Sequence, residues 1–178
     1  MYVLSAARQA LAAYPHLEAH SRRVAALALE AAKLLRLPDP ALVAQAAYLH
    51  DLGKTNWPEE LFTKYPLAPF DWALVKVHPV AGENLALEIW PDMPALARAL
   101  IRGHHERPGG KGYPDGLAEP GVEILLLAAC DAYDAMTSER AYRPDGALPA
   151  GVALLEVAKF TPARVVAALA GAIMRKAG

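Results

Sequence analysis

The sequence predicts an all-α protein, a single compact helical bundle, and three observations carry that prediction. Apolar residues recur three and four positions apart through most of the chain, the spacing that gathers them on one face of a helix. Nothing alternates with the period of two that a half-buried strand requires. The only long stretch that resists a helix is His105–Gly121 ("HERPGGKGYPDGLAEPG"), dense in glycine and proline, which reads as a functional or lid-like loop.

The elements follow in chain order. Residues 3–13 and 16–36 are alanine- and leucine-rich runs separated by Tyr14 and Pro15, which makes two helices. A third opens with Asp39 as N-cap and Pro40 in its first turn, and Gly53 is its expected C-terminal stop. Further helices are expected over 70–77, 80–89, 94–103, 121–137, 148–159 and 162–176, the last capped by Thr161 with Pro162 behind it.

Composition bounds what such a bundle can be. At 178 residues, 54% apolar and 21% charged, the chain fills one well-buried core and is too short for two ordinary domains. Lys and Arg number 18 against 19 Asp and Glu, so no broad basic face exists to hold duplex nucleic acid, and any phosphate binding is local. The one cysteine, Cys130, lies in the apolar run "EILLLAACDAY"; it excludes an intramolecular disulfide and fits a reducing compartment. The N-terminus lacks a basic start followed by a long apolar block, and charges interrupt every apolar run short of membrane-spanning length. A cytoplasmic protein without a membrane partner is expected.

Chemistry concentrates in histidines and carboxylates. There are six histidines: His16, His20, His50, His78, His104 and His105. Taken singly, each reads as a capping or surface residue. Asp51 falls at the expected C-terminal end of a helix, where its charge opposes the dipole, and Asp131 lies beside "LLLAAC", where an unpartnered carboxylate is expensive. Both call for a cation, and a divalent metal supplies it. Imidazoles and carboxylates suit Fe, Mn, Zn or Ni, while the lack of cysteine clusters argues against a structural zinc site.

In order, His20, "HDLGK" at 50–54, "HPVAG" at 78–82, "HHERPGGKGYPDGL" at 104–117 and "ACDAYDAMTSERAYR" at 129–143 closely resemble the HD-GYP family, a branch of the HD-domain metal-dependent phosphohydrolases. The resemblance covers about residues 16–145 of a single expected domain spanning 1–178, with two helices over 148–176 behind it. It implies a helical bundle around a central pair of divalent metals. Carried over by position, His20, His50, Asp51 and Asp131 would hold one metal, and His78, His104 and His105, with Asp51 as a bridge, the second. Iron or manganese is the expectation from the family, and Ni, Co and Zn accept the same ligands. Two metals roughly 3.5–4 Å apart can share a hydroxide and clamp both the attacking and leaving oxygens of an in-line displacement at phosphorus. The resemblance implies hydrolysis of cyclic di-GMP to pGpG, GMP or both, with Asp51 and Lys54 as catalytic residues. Lys54, four residues after His50, would act as a point charge on a phosphate oxygen.

Expected substrate contacts are Lys54, Gly112, Tyr113 as an aromatic lid, and Arg140 and Arg143, whose guanidinium forks suit phosphate and guanine. His16 occupies the position where members with a third metal carry a glutamate. It lies four residues before His20 on the same helix face and is a candidate extra ligand. The family's usual Trp-Asp-Gly step is replaced by Pro108, Gly109, Gly110 and Lys111. Two further readings stand beside the phosphodiesterase: an HD-type phosphohydrolase acting on another nucleotide or phosphoester, and a non-catalytic module that binds cyclic di-GMP or a partner protein. With only one short helix ahead of residue 16, regulation is expected from a homodimer, a signalling partner or metal supply.

Overall fold

A computed structural model describes residues 2–139 and 146–177. Among the described residues it holds eight α-helices and no strand: α1 (Tyr2–Leu11), α2 (Pro15–Leu34), α3 (Pro40–Leu49), α4 (Pro69–Ile89), α5 (Ala95–Gly103), α6 (Val122–Thr137), α7 (Ala150–Ala158) and α8 (Ala163–Ala177). Two 3₁₀ turns, Leu52–Asn56 and Glu59–Phe62, join α3 to α4. No helix of the described residues is long and apolar enough to cross a membrane.

The longest central packing surface belongs to α2. Leu17, Val24, Leu27, Ala28 and Ala31 recur at helical spacing and are buried against α3, α6 and α8. A fully buried leucine or valine there contributes roughly 1.5–3 kcal/mol of transfer free energy. Helix α6 is buried at every position from Ile124 to Asp131, the pattern of a helix enclosed on all sides. Asp131 and Asp134 therefore project from the middle of the bundle.

Several ends differ from the sequence expectation. Asp39 caps α3 as expected, its carboxylate accepting from the Leu42 N–H at 2.9 Å. The helix, however, stops at Leu49, and the chain runs through His50 and Asp51 into the first 3₁₀ turn. Gly53 is no helix stop: it lies inside that turn, where a β-carbon would overlap the His78 carbonyl oxygen and come within 2.5 Å of the Gly82 nitrogen. In turn, a β-carbon on Gly82 would stand 3.1 Å from the Gly53 nitrogen. The missing side chains let the turn lie directly on α4.

The expected helices at 70–77 and 80–89 are one continuous helix with Pro79 inside it. A proline there removes the N–H that would bond the Val75 carbonyl. That carbonyl instead accepts from His78 Nδ1 at 2.6 Å, so the side chain replaces the lost backbone bond. Thr161, expected as a cap, donates its hydroxyl to the Val157 carbonyl at the end of α7, and α8 begins at Ala163.

The glycine- and proline-rich loop is pinned rather than lid-like. Glu106 is fully buried, and its carboxylate accepts from the N–H groups of Asp115, Gly116 and Leu117 at 2.7, 3.1 and 2.8 Å. Arg102 of α5 grips Asp115 with two hydrogen bonds of 2.6 and 2.7 Å and reaches Glu83 of α4 at 2.8 Å.

Candidate metal centre

Five segments deliver seven side chains to one buried point. His20 comes from the middle of α2, His50 and Asp51 from the end of α3, His78 from α4, His104 and His105 from the end of α5, and Asp131 from α6. Asp51 stands at the centre, fully buried, with its two oxygens facing different groups. Its Oδ2 is 3.5 Å from His20 Nε2 and 3.4 Å from His50 Nε2, while Oδ1 is 3.3 Å from His78 Nε2 and 3.7 Å from His104 Nε2. Asp131 Oδ1 lies 3.1 Å from His20 Nε2 and 3.6 Å from His50 Nε2. Ligand atoms of His20, His50 and Asp51 lie within 4.8 Å of one another, as do those of His78, His104 and His105, and of His50, His104 and Asp131. His16, by contrast, joins none of these groups; it is exposed, with its ring edge-on to Phe62 at 4.9 Å.

Local backbone geometry aims the imidazoles. Nδ1 of His50, His78 and His104 each pairs with the carbonyl three residues earlier: Ala47 at 2.7 Å, Val75 at 2.6 Å and Ile101 at 2.7 Å. Two of those carbonyls lie in the last turns of α3 and α5, where helices leave their acceptors unused, and the third is the one Pro79 frees. A carbonyl can only accept, so each Nδ1 carries a proton and Nε2 is the nitrogen turned toward the centre.

The arrangement fits a metal on its own geometry. His50 Nε2 and Asp51 Oδ1 are buried and make no hydrogen bond. His78 Nε2 and His104 Nε2 face each other at 3.1 Å, lone pair against lone pair, unless a cation lies between them. Burial lowers both of these imidazoles, His104 well below its ordinary value, and pushes His105 down to about 3, so all three are neutral donors. Burial alone would raise the carboxyls. His50 and Lys54 hold Asp51 well below the usual carboxylate range, and His20 and His50 do the same for Asp131. Against burial, Asp51 and Asp131 push His50 up to about 10: the carboxylate pair demands a cation at that nitrogen, a proton or a metal ion. Neutral imidazoles and ionised carboxylates are the donor set of a divalent metal.

Lys54 closes one side, with its ammonium 2.6 Å from Asp51 Oδ2 and 5.3 Å from the centre of the Trp57 ring. A cavity of about 780 Å³ opens beside it, reaching His20 and Asp51 and walled by Arg23, Trp57, Phe62, Lys64, Tyr65 and Trp72. The aromatic wall escaped the sequence reading because its four rings are spread over 16 residues that carry no periodic signal. Gly112 and Tyr113 are not among the cavity's walls. Instead Tyr113 stacks on the His105 ring at 4.7 Å, and a β-carbon on Gly112 would overlap the backbone of His105 to Arg107. The loop thus backs the histidine pair. Arg140 and Arg143 lie outside the described residues.

Known proteins resemble this chain over most of its length. The family model for the HD domain matches residues 6–159. A cyclic di-GMP phosphodiesterase of Pseudomonas aeruginosa, PA4108, is 39% identical over 129 residues, 70% of this chain and 31% of that protein. A cyclic di-GMP phosphodiesterase of Thermotoga maritima is 36% identical over 101 residues, 55% of this chain and 27% of that one. The chain therefore spans about a third of the length of these relatives. Among solved structures, Bd1817, an HDG"Y"P protein from Bdellovibrio bacteriovorus, superposes with a TM-score of 0.69 at 24% identity, over 86% of this chain and 51% of that one. With the motif order, the fold and the buried His–Asp centre in agreement, the chain belongs to the HD domain family, and its resemblance is to the HD-GYP branch.

Proposed function

We propose that this domain is a metal-dependent phosphodiesterase that opens cyclic di-GMP to pGpG, GMP or both. The observation that carries the reading is Asp51: its two oxygens face two separate histidine groups, as a carboxylate bridging two metals must. In this reading His20, His50, Asp51 and Asp131 hold one divalent ion and His78, His104 and His105, sharing Asp51, the other, with iron or manganese expected. Metals held there supply Lewis acidity toward the phosphodiester and activate water at neutral pH.

The chain's own residues supply the rest. Lys54, at the mouth of the centre, offers a positive charge to a nonbridging phosphate oxygen and supports the charge that develops in the displacement. Trp57, Phe62, Tyr65 and Trp72 offer flat faces on which bases stack. Gly112 and Tyr113 act through His105 rather than on substrate, and Arg140 and Arg143 remain candidate contacts for phosphate or guanine. The replaced loop positions Pro108 to Lys111 stand outside the cavity, which supports an enzyme over a binding module. Support for the substrate comes from the two curated relatives named for it.

The test is chromatography of cyclic di-GMP, beside other cyclic dinucleotides and a simple phosphodiester, after incubation with anaerobically purified protein loaded with Fe(II) or Mn(II). Product from the wild type and none from Asp51→Ala is the expected result. Intact cyclic di-GMP with turnover of another ester would move the assignment to that substrate. Tight binding without any product would make the domain a sensor.

A further inference from the structure

His20 differs from the other three deeply buried histidines in what holds it. Its Nδ1 pairs not with a carbonyl but with Asp134 Oδ2, at 2.7 Å. Asp134 is buried one turn beyond Asp131 on α6, and Arg23 lies one turn beyond His20 on α2, so two residues of each helix interlock. Arg23 donates Nε to Asp134 Oδ1 at 2.7 Å and Nη2 to Oδ2 at 2.8 Å, and the Ser138 hydroxyl donates to Oδ2 at 3.3 Å. The carboxylate is thereby fully engaged and fixed in orientation.

We propose that Asp134, clamped by Arg23, is a positioning residue that locks His20 with Nε2 toward Asp51 and Asp131 and makes the His20 side of the centre the tighter of two metal positions. The inference rests on the metal-centre reading above. An anionic partner strengthens an imidazole's donation more than a neutral carbonyl does, which gives His20 an advantage over His50, His78 and His104. The charge balance points the same way. With Asp134 offset by Arg23, the His20 side still gathers Asp131 beside the shared Asp51, whereas the side of His78, His104 and His105 shares only Asp51.

An asparagine at 134 preserves the shape and reverses the instruction. Arg23 can only donate, so it retains the amide oxygen, and the NH₂ group turns toward His20. The imidazole proton then moves to Nε2, the nitrogen that should bind metal, the same tautomer error that asparagine causes in a Ser-His-Asp triad.

The experiment titrates the metal-stripped protein with Mn(II), by calorimetry and metal analysis, in wild type, Asp134→Asn, Arg23→Gln and Asp51→Ala. Wild type is expected to bind two ions in unequal steps. Asp134→Asn should weaken the tighter step by roughly 10- to 100-fold and leave the other unchanged. In protein loaded with diamagnetic Zn(II), nitrogen-15 NMR should place the His20 proton on Nδ1 in wild type and lose that signature in Asp134→Asn. Arg23→Gln, which loosens the clamp and keeps the charge, should give a smaller loss in the same step. Wild-type affinities in Asp134→Asn, or equal losses in both steps with a lowered melting temperature, would overturn the positioning role while the metal centre stands. A wild type that takes up no metal would overturn both, and Asp51→Ala should lose both steps.

Discussion

Single side chains of the same type stand at very different distances from the chemistry. Asp51 and Glu106 are both fully buried carboxylates within a few residues of metal-facing histidines, yet Asp51 turns its oxygens to imidazoles and Glu106 turns its own to backbone N–H groups. Removing Glu106 leaves three donors of a buried turn without an acceptor, at about 1–3 kcal/mol each before relaxation. Glu106→Ala should therefore lower the unfolding free energy by about 3 kcal/mol in denaturant titrations, with metal affinity at the His78 side falling as His105 loses its backing. Trp72→Ala tests the aromatic wall. If bases stack there, KM for a cyclic dinucleotide should rise about tenfold, the scale of one lost stacking contact, with kcat little changed. That the seven residues meet at one centre was legible in sequence because a family orders them along the chain. Asp134 was not: its partner His20 lies 114 positions away, and an aspartate in "DAYDA" has no local mark that separates a metal ligand from the residue behind one.

Helices were nearly legible in number and extent: nine were expected and the described residues hold eight, because two of the expected segments are one. The misreading at α4 is instructive, because Pro79 is a helix breaker by the ordinary rule and stays inside a helix here. What offsets the lost hydrogen bond is the imidazole of the neighbouring residue, which no propensity scale weighs. Pro79→Ala restores an N–H that competes for the Val75 carbonyl. Its predicted signature is weaker metal binding at the His78 side without a drop in the melting temperature of the metal-free protein. Gly53→Ala should be harsher. Its added methyl must displace the backbone of α4, so a loss of about 1–3 kcal/mol in stability is expected, together with loss of metal content.

Across the whole molecule, the buried Glu83 ties α4 to α5 through Arg98 and Arg102, and Arg102 carries the tie on to the loop at Asp115. Burial would raise the Glu83 carboxyl, but the two guanidinium groups hold it below its ordinary value. A carboxylate depressed in the folded state contributes stability above its unfolded pKa and loses it as pH falls through the folded value. The stability advantage of wild type over Glu83→Gln should be complete at neutral pH and shrink below about pH 4 in acid titrations. Metal belongs to this scale too, because its proposed ligands come from α2, α4 and α6 and the ends of α3 and α5. Ions bound only by the assembled bundle should raise its unfolding free energy by about 2.7 kcal/mol at a hundred times the dissociation constant, an effect that a chelator reverses in a melting curve.

The meeting of Gly53 with Gly82 has a consequence for anyone who would move this centre elsewhere. The segments 50–54 and 78–82 behave as one interlocking component, cut to fit by what each lacks. Grafting the histidines and aspartates alone onto another helical scaffold would copy the teeth of the key without its blade; the transplantable unit is the two backbones in contact.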